Sequence, residues 1–460
     1  MVSKIKCCSG NYDNTEYAFN KSSIKEAILK LIKLIYQRLF HEEMSADVQT
    51  FLKNLLYVSI GTIISTLFVA VVTIIGGRIL GPAEYGKFSL IQSISMFLYL
   101  PMILGYNSAM VKYVSEKEES GRQFTIIITT CILVLILTII SSSIYLFFSR
   151  QISNLLSTSN EIIIYSCILA VLFVFYTITT NIIRALNKMK TYSFFQSLYA
   201  MILIFSFIML IIYKMYSYQS LIYPMFLGYG ITGIIILILI FKNDGRYKFD
   251  RSWAKILTKY ALFSALGGLS FVLYSNIDTI MISKYMIIED VGIYNAYYTA
   301  SINVAAVISG IFLTVYFPAV SKYNNKQIIF LKINKIIPYI IIGGLPFIMV
   351  CEYIIVILYG NKYPINIEWI ILFAIASILI GIEGIYAWLL ASTDPKGALL
   401  VSFASVIGAV VNVGLNFVLI PLIGIIGAIS SLILCFMFFI TLTLLFSKKY
   451  FKEPNSDVPP

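Results

Sequence analysis

Runs of about twenty consecutive apolar residues recur from residue 55 to residue 446, each long enough to cross a hydrocarbon core of about 30 Å as a helix. Twelve are expected, at 55–76, 89–110, 124–148, 161–182, 192–213, 219–241, 261–283, 292–316, 336–359, 367–391, 397–419 and 425–446. Composition agrees: 59% of residues are hydrophobic and 12% charged, against about 25% charged in soluble domains. A membrane β-barrel would instead alternate apolar and polar residues over about ten positions per strand. The expected fold class is therefore all-α, a polytopic membrane protein of about 12 transmembrane helices.

A formal charge of +12 invites a nucleic-acid reading, so the placement of the cations decides. With a cytoplasmic amino terminus, 28 of the 34 Lys and Arg fall on the inner side and 6 on the outer. Without the two tails the ratio is still 17 to 6. That asymmetry is the positive-inside rule, so the basic balance reports topology and contact with anionic lipid, and no nucleic-acid partner is expected. The expected location is the cytoplasmic membrane, with both termini inside.

Sliding the chain against itself by 206 residues places Arg78 on Lys284, Glu84 on Asp290, Gly86 on Gly292 and Lys190 on Lys396, and brings most of the first six spans onto the last six. The chain therefore divides into a cytoplasmic tail (1–54), a six-helix lobe (55–241), a basic cytoplasmic linker (242–260), a second six-helix lobe (261–446) and a short tail (447–460). Because six is even, the lobes enter from the same side, as parallel repeats about an axis along the membrane normal. Such repeats suit alternating access.

An enzymatic role, such as polymerisation or ligation of lipid-linked sugars, would need acid/base or nucleophilic groups on a sizeable loop, and the outer loops are short. The single histidine, His41, lies in the amino-terminal tail, so no histidine base or metal cluster can form in the bundle. No phosphate-binding Gly-rich loop followed by Lys-Ser or Lys-Thr occurs. Neither a cofactor nor a metal is expected. Cys7, Cys8, Cys131, Cys167, Cys351 and Cys435 show no ligand spacing, and the last four sit inside spans as small apolar residues. The adjacent Cys7 and Cys8 are either acylated or an inert reduced pair. No short apolar run in the first fifty residues ends in a signal cleavage site, so the tail is expected to stay on the mature chain.

Four segments, "GRILGPAEYGKF" (77–88), "SNIDTIMISK" (275–284), "EDVGIYNAYYTA" (289–300) and "IPLIGIIGAISS" (420–431), resemble the polysaccharide and oligosaccharide-lipid flippases of the multidrug/oligosaccharidyl-lipid/polysaccharide exporter superfamily. The likeness runs from about residue 50 to 447. It implies a MATE-like, V-shaped, two-lobed transporter that turns a lipid-linked oligosaccharide from the inner to the outer leaflet, with membrane lipid and glycan-assembly proteins as candidate partners. The alternative within the same superfamily is a cation-coupled drug or metabolite exporter. The chain departs from the lipid II flippases in having no thirteenth or fourteenth span, and its amino-terminal extension is long.

Arg78 ends span 1 and Lys284 ends span 7, at equivalent depths near the outer face. Either they attract the phosphate or pyrophosphate of a polyprenyl-linked sugar, or they are snorkelling anchors. Asp278 lies within span 7, two residues after Asn276. A charged side chain at mid-membrane costs about 2.5–3.5 kcal/mol on insertion scales, so Asp278 and Glu383 in span 10 are candidates for binding a coupling proton or cation, or for pairing structurally. Glu352 sits nearer an outer end, where an interfacial role is the expectation. Asn412 and Asn416, four apart, share one helical face and are expected to join helices by hydrogen bonds. Gly81, Pro82 and Gly86 read as a helix-ending turn between spans 1 and 2, with Glu84 satisfying donors at the start of span 2; "IPLIGIIGA" makes a similar turn before span 12. In the tail, Ile24, Ile28, Leu31, Ile32, Ile35 and Leu39 fall on one face behind a Ser23/Glu26 capping box, an amphipathic helix lying on the inner leaflet or binding a partner.

Overall fold

Backbone groups in hydrocarbon must pair within their own segment, which selects helices throughout. The structure, a computed structural model, describes residues 46–116, 120–240, 248–322 and 326–452, and holds only helices and their connections there. The amphipathic helix expected at 22–41, His41, Cys7 and Cys8 lie outside these residues. Among the described residues, those from 57 onward form one compact unit, and 46–56 fall outside it.

The helices are α1 (Ala46–Leu80), α2 (Pro82–Ile103), α3 (Tyr106–Ser115), α4 (Ser120–Phe147), α5 (Ser149–Leu155), α6 (Asn160–Ala185), α7 (Met189–Ile212) and α8 (Gln219–Ile240). After the basic linker come α9 (Arg251–Tyr285), α10 (Ile288–Tyr298), a π turn (Thr299–Asn303), α11 (Val304–Lys322), α12 (Lys326–Tyr359), α13 (Ile367–Ala391), α14 (Pro395–Ile423) and α15 (Ile425–Lys452). Several starts are capped as their residues dictate. Asp250 accepts from the backbone of Ser252 and Trp253 at 2.8 and 3.1 Å, and the Ser252 hydroxyl with those amides holds its carboxyl below the usual range. Asn366 and Asp394 cap α13 and α14 in the same way.

Ten of these helices are long and apolar enough to cross a membrane, and the α2–α3 pair raises the number to eleven among the described residues. The expected second span bends by 51° between α2 and α3. Leu104 and Gly105 there carry φ of 41° and 78°, left-handed values that end the helix. The bend brings the chain so close to α9 that a Cβ on Gly105 would lie 2.4 Å from the Ala261 carbonyl oxygen. The expected eighth span is also divided, by the π turn between α10 and α11.

The turn after α1 is tighter than expected. Gly81 alone forms it, at φ 85°, with Pro82 already the first residue of α2. Gly86 is helical and takes no part in the turn; its role is contact with α10. A Cβ on Gly86 would lie 2.1 Å from the Ile288 carbonyl oxygen, and one on Gly292 would lie 2.0 Å from that of Pro82. The contact is reciprocal, and both pairs of residues, 82 with 288 and 86 with 292, obey the 206-residue offset. Glu84 also departs from expectation: it accepts from the backbone N–H of Tyr218 at 2.8 Å and from Lys87 at 2.6 Å, tying α2 to the start of α8. Gly424, at φ 60°, makes the second expected turn, between α14 and α15.

Candidate functional site

Asp278 lies two turns before the end of α9 and is 1% exposed. An ionised carboxylate taken from water loses more than one hydrogen bond returns, so its neighbours decide whether it can stay there. Two side chains from two other helices answer, and a third lies behind one of them. The Tyr294 hydroxyl on α10 donates to Asp278 Oδ2 at 2.7 Å, and Asn416 Nδ2 on α14 donates to Oδ1 at 2.5 Å. Asn416 Nδ2 also approaches Asn412 Oδ1, one turn earlier, at 3.3 Å. The two asparagines thus share a face, as their spacing requires, and join α14 to α9 through the acid.

The cluster is not saturated. Asn412 Nδ2 and Asn416 Oδ1 are buried without a hydrogen-bond partner among the described residues. Such orphaned polar atoms are few in proteins and call for a reason. Cys435 of α15 lies within electrostatic reach of both Asp278 and Glu383, and Tyr274 of α9 within reach of Glu383. The structure therefore gathers Asp278, Asn412 and Asn416 into one site, with half-buried Glu383 on its flank. Asn276 does not join it; its amide donates to the Val272 carbonyl of its own helix at 3.2 Å.

Glu352, expected near an outer end, lies two turns before the end of α12 and faces protein. It is fully buried, and neither carboxyl oxygen has a partner among the described residues. Hydropathy reports depth along a helix but not which neighbour a residue faces, and Glu352 shares the inward face of α12 with Val356 and Tyr359.

Arg78 and Lys284 have different surroundings. Arg78 is exposed, and its Nη1 donates weakly to the Leu358 carbonyl of α12 at 3.4 Å. Lys284 is half-buried, its ammonium 5.8 Å from the ring centroid of Phe417 on α14 and 5.3 Å from that of Tyr285. Around Arg78 the helices meet through tyrosines that sequence reasoning did not single out. The Tyr363 hydroxyl donates to the Gly77 carbonyl at 3.0 Å, and the hydroxyls of Tyr85 and Tyr359 pair at 3.0 Å. With Gly86 and Gly292, these contacts hold α1 and α2 against α10 and α12 at the expected outer end.

A similar fold occurs in solved membrane transporters. The fold is similar to an inward-facing multidrug resistance MATE family transporter of the MOP superfamily, at TM-score 0.59 and 15% identity over 92% of this chain and 98% of that one. An outward-facing form of such a transporter matches at 0.58 and 16%, over 89% and 99%. The lipid II flippase MurJ in an inward closed conformation matches at 0.57 and 16%, over 85% and 89%. No curated protein sequence matches the chain. These likenesses, at 15–16% identity, show the fold. Residues 51–324 match the model of the polysaccharide biosynthesis protein family, and the chain belongs to that family.

Proposed function

We propose that the protein flips a lipid-linked oligosaccharide, carried on a polyprenyl phosphate or pyrophosphate, from the inner to the outer leaflet by alternating access. The observation that carries this reading is membership of the polysaccharide biosynthesis family on a transporter fold. Arg78 supports it: an exposed guanidinium at a helix end, next to the closed contact of the helices, offers a fork suited to phosphate oxygens. Lys284 supplies a second, more covered cation. The buried cluster of Asp278, Asn412 and Asn416, with Glu383 beside it, is the coupling site, where a proton or small cation binds as the lobes exchange conformations. Carboxylate and amide oxygens are the hard donors such a cation takes.

The test is an Arg78 series in proteoliposomes holding a polyprenyl-pyrophosphoryl sugar. A charge-assisted hydrogen bond contributes about 1.5–3 kcal/mol, so Arg78→Ala is expected to lose about tenfold or more in flipping rate. Arg78→Lys keeps the charge without the planar fork and should fall between. If lysine matches wild type, Arg78 is a snorkelling anchor. If alanine matches as well, Arg78 is not in the site.

Topology gives a second expectation. Lys188 and Lys214 are exposed at opposite ends of α7. A single cysteine at Lys188 should react with an impermeant maleimide only from the cytoplasmic side, and one at Lys214 only from outside. The reverse pattern would invert the orientation drawn from the cation asymmetry.

A further inference from the structure

The lobes differ at one equivalent place. In the first, α1 and α7 part to leave a cavity of about 200 Å³ whose walls are all apolar, among them Val71, Ile75 and Ile79 from α1 and Ile204, Ile208 and Ile211 from α7. The 206-residue offset carries Val72 onto Asp278, Ile75 onto Met281, Arg78 onto Lys284 and Ile211 onto Phe417. In the second lobe that place is filled. Asp278 binds Asn416, Met281 is 4% exposed where Ile75 is 44% exposed, and the Lys284 ammonium lies over the Phe417 ring. Since the second lobe closes the same helix pair, the fold does not require the gap in the first.

Arg78 stands one turn beyond Ile75 and next to Ile79, at the surface end of the groove's α1 wall, with its guanidinium turned toward the Leu358 carbonyl of α12. A charge at the membrane-surface end and an apolar channel running about 12 Å inward from Ile79 to Val71 match an amphiphile with an anionic head and a hydrocarbon tail. An apolar cavity of about 150 Å³ already accommodates a six-carbon ring, so this one has room for an isoprene unit and part of the next. We propose that the groove between α1 and α7 holds the first isoprene units of the polyprenyl carrier while Arg78 meets its phosphate. The inference rests on the flippase reading above and adds the site for the lipid tail. The repeats then divide the work: the second lobe keeps a buried polar site, and the first, at the equivalent place, keeps a lipid site.

Two measurements on the full chain in proteoliposomes test this. A photoreactive benzoylphenylalanine replaces Ile208 in the groove or, as a control, Phe271, which is 57% exposed on α9 of the other lobe. With a radiolabelled polyprenyl-pyrophosphoryl sugar, the expected adduct forms at 208 and not at 271. Excess polyprenyl phosphate should suppress it and excess phosphatidylglycerol should not. No adduct at 208, or suppression by both lipids alike, overturns the proposal and leaves an ordinary bilayer contact. Separately, Ile75→Trp and Ile208→Trp fill the groove. Each should slow flipping of the long-chain substrate by about tenfold, equivalent to about 1.4 kcal/mol, while leaving a geranyl-chain analogue, too short to occupy it fully, near the wild-type rate. Equal rates for both substrates in wild type and Trp variants would overturn the groove and leave the flippase reading standing. An adduct at 208 in a wild-type protein that flips neither substrate would support the groove and overturn that reading.

Discussion

Asp278→Asn is expected to lower transport by about 5–150-fold, the range of a coupling free energy of about 1–3 kcal/mol, while the protein stays folded and inserted. Asparagine keeps the size and can still accept from Tyr294, but it neither releases a proton nor offers a charged oxygen to a cation. Loss of pH dependence in the variant would assign the coupling to a proton, and loss of sodium dependence to a cation. Normal transport across a range of pH and sodium in Asp278→Asn and Glu383→Gln would show that both acids only pack. The inside-negative potential would then be the drive, contributing about 2.3 kcal/mol per charge per 100 mV to outward movement of an anionic headgroup.

The second large effect is at the paired glycines. Gly86→Val and Gly292→Val each place a Cβ within about 2 Å of a carbonyl oxygen on the facing helix, and backbone on both sides leaves nothing flexible to give way. Overpacking costs about 1–3 kcal/mol even where neighbours can shift, so the closed contact between α2 and α10 should be lost in both variants, with transport reduced to near background. Spin labels at Ala83 on α2 and Glu289 on α10 read this directly: the distance should lengthen in either variant. Because the contact is reciprocal, the two substitutions should behave alike. Unchanged distances and transport in both would show that these helices do not need to close this tightly.

The division between what the sequence announced and what it hid follows the range of the interactions. Spans were legible because twenty apolar residues declare themselves locally, and the Gly81-Pro82 and Gly424 turns because glycine and proline restrict the backbone where they stand. The bend at Leu104 and Gly105 was readable in principle, since Pro101 and Gly105 interrupt an apolar run. Gly86 was misread as a turn residue because a glycine needed for close approach of another helix leaves the same mark as one needed for φ. Glu84 was expected to serve its own helix, but its partner, the Tyr218 amide, is 134 residues away. Asp278 and the two asparagines were each visible as polar residues in apolar runs, while their meeting spans 138 residues and needed the fold. Glu352 shows the same limit: its burial depends on which face of α12 turns inward.

The central claim is that the cargo is an anionic, lipid-linked sugar. The most direct measurement reconstitutes the purified protein in vesicles with a fluorescent polyprenyl-pyrophosphoryl oligosaccharide and follows its arrival in the opposite leaflet by impermeant quenching, with uptake of a cationic dye measured in parallel. Protein-dependent flipping of the lipid-linked sugar is expected, slowed in Arg78→Ala and Asp278→Asn, with no dye transport. Dye transport driven by a proton or sodium gradient, with the lipid-linked sugar left in its original leaflet, would contradict it and make the protein a cation-coupled exporter on the same fold.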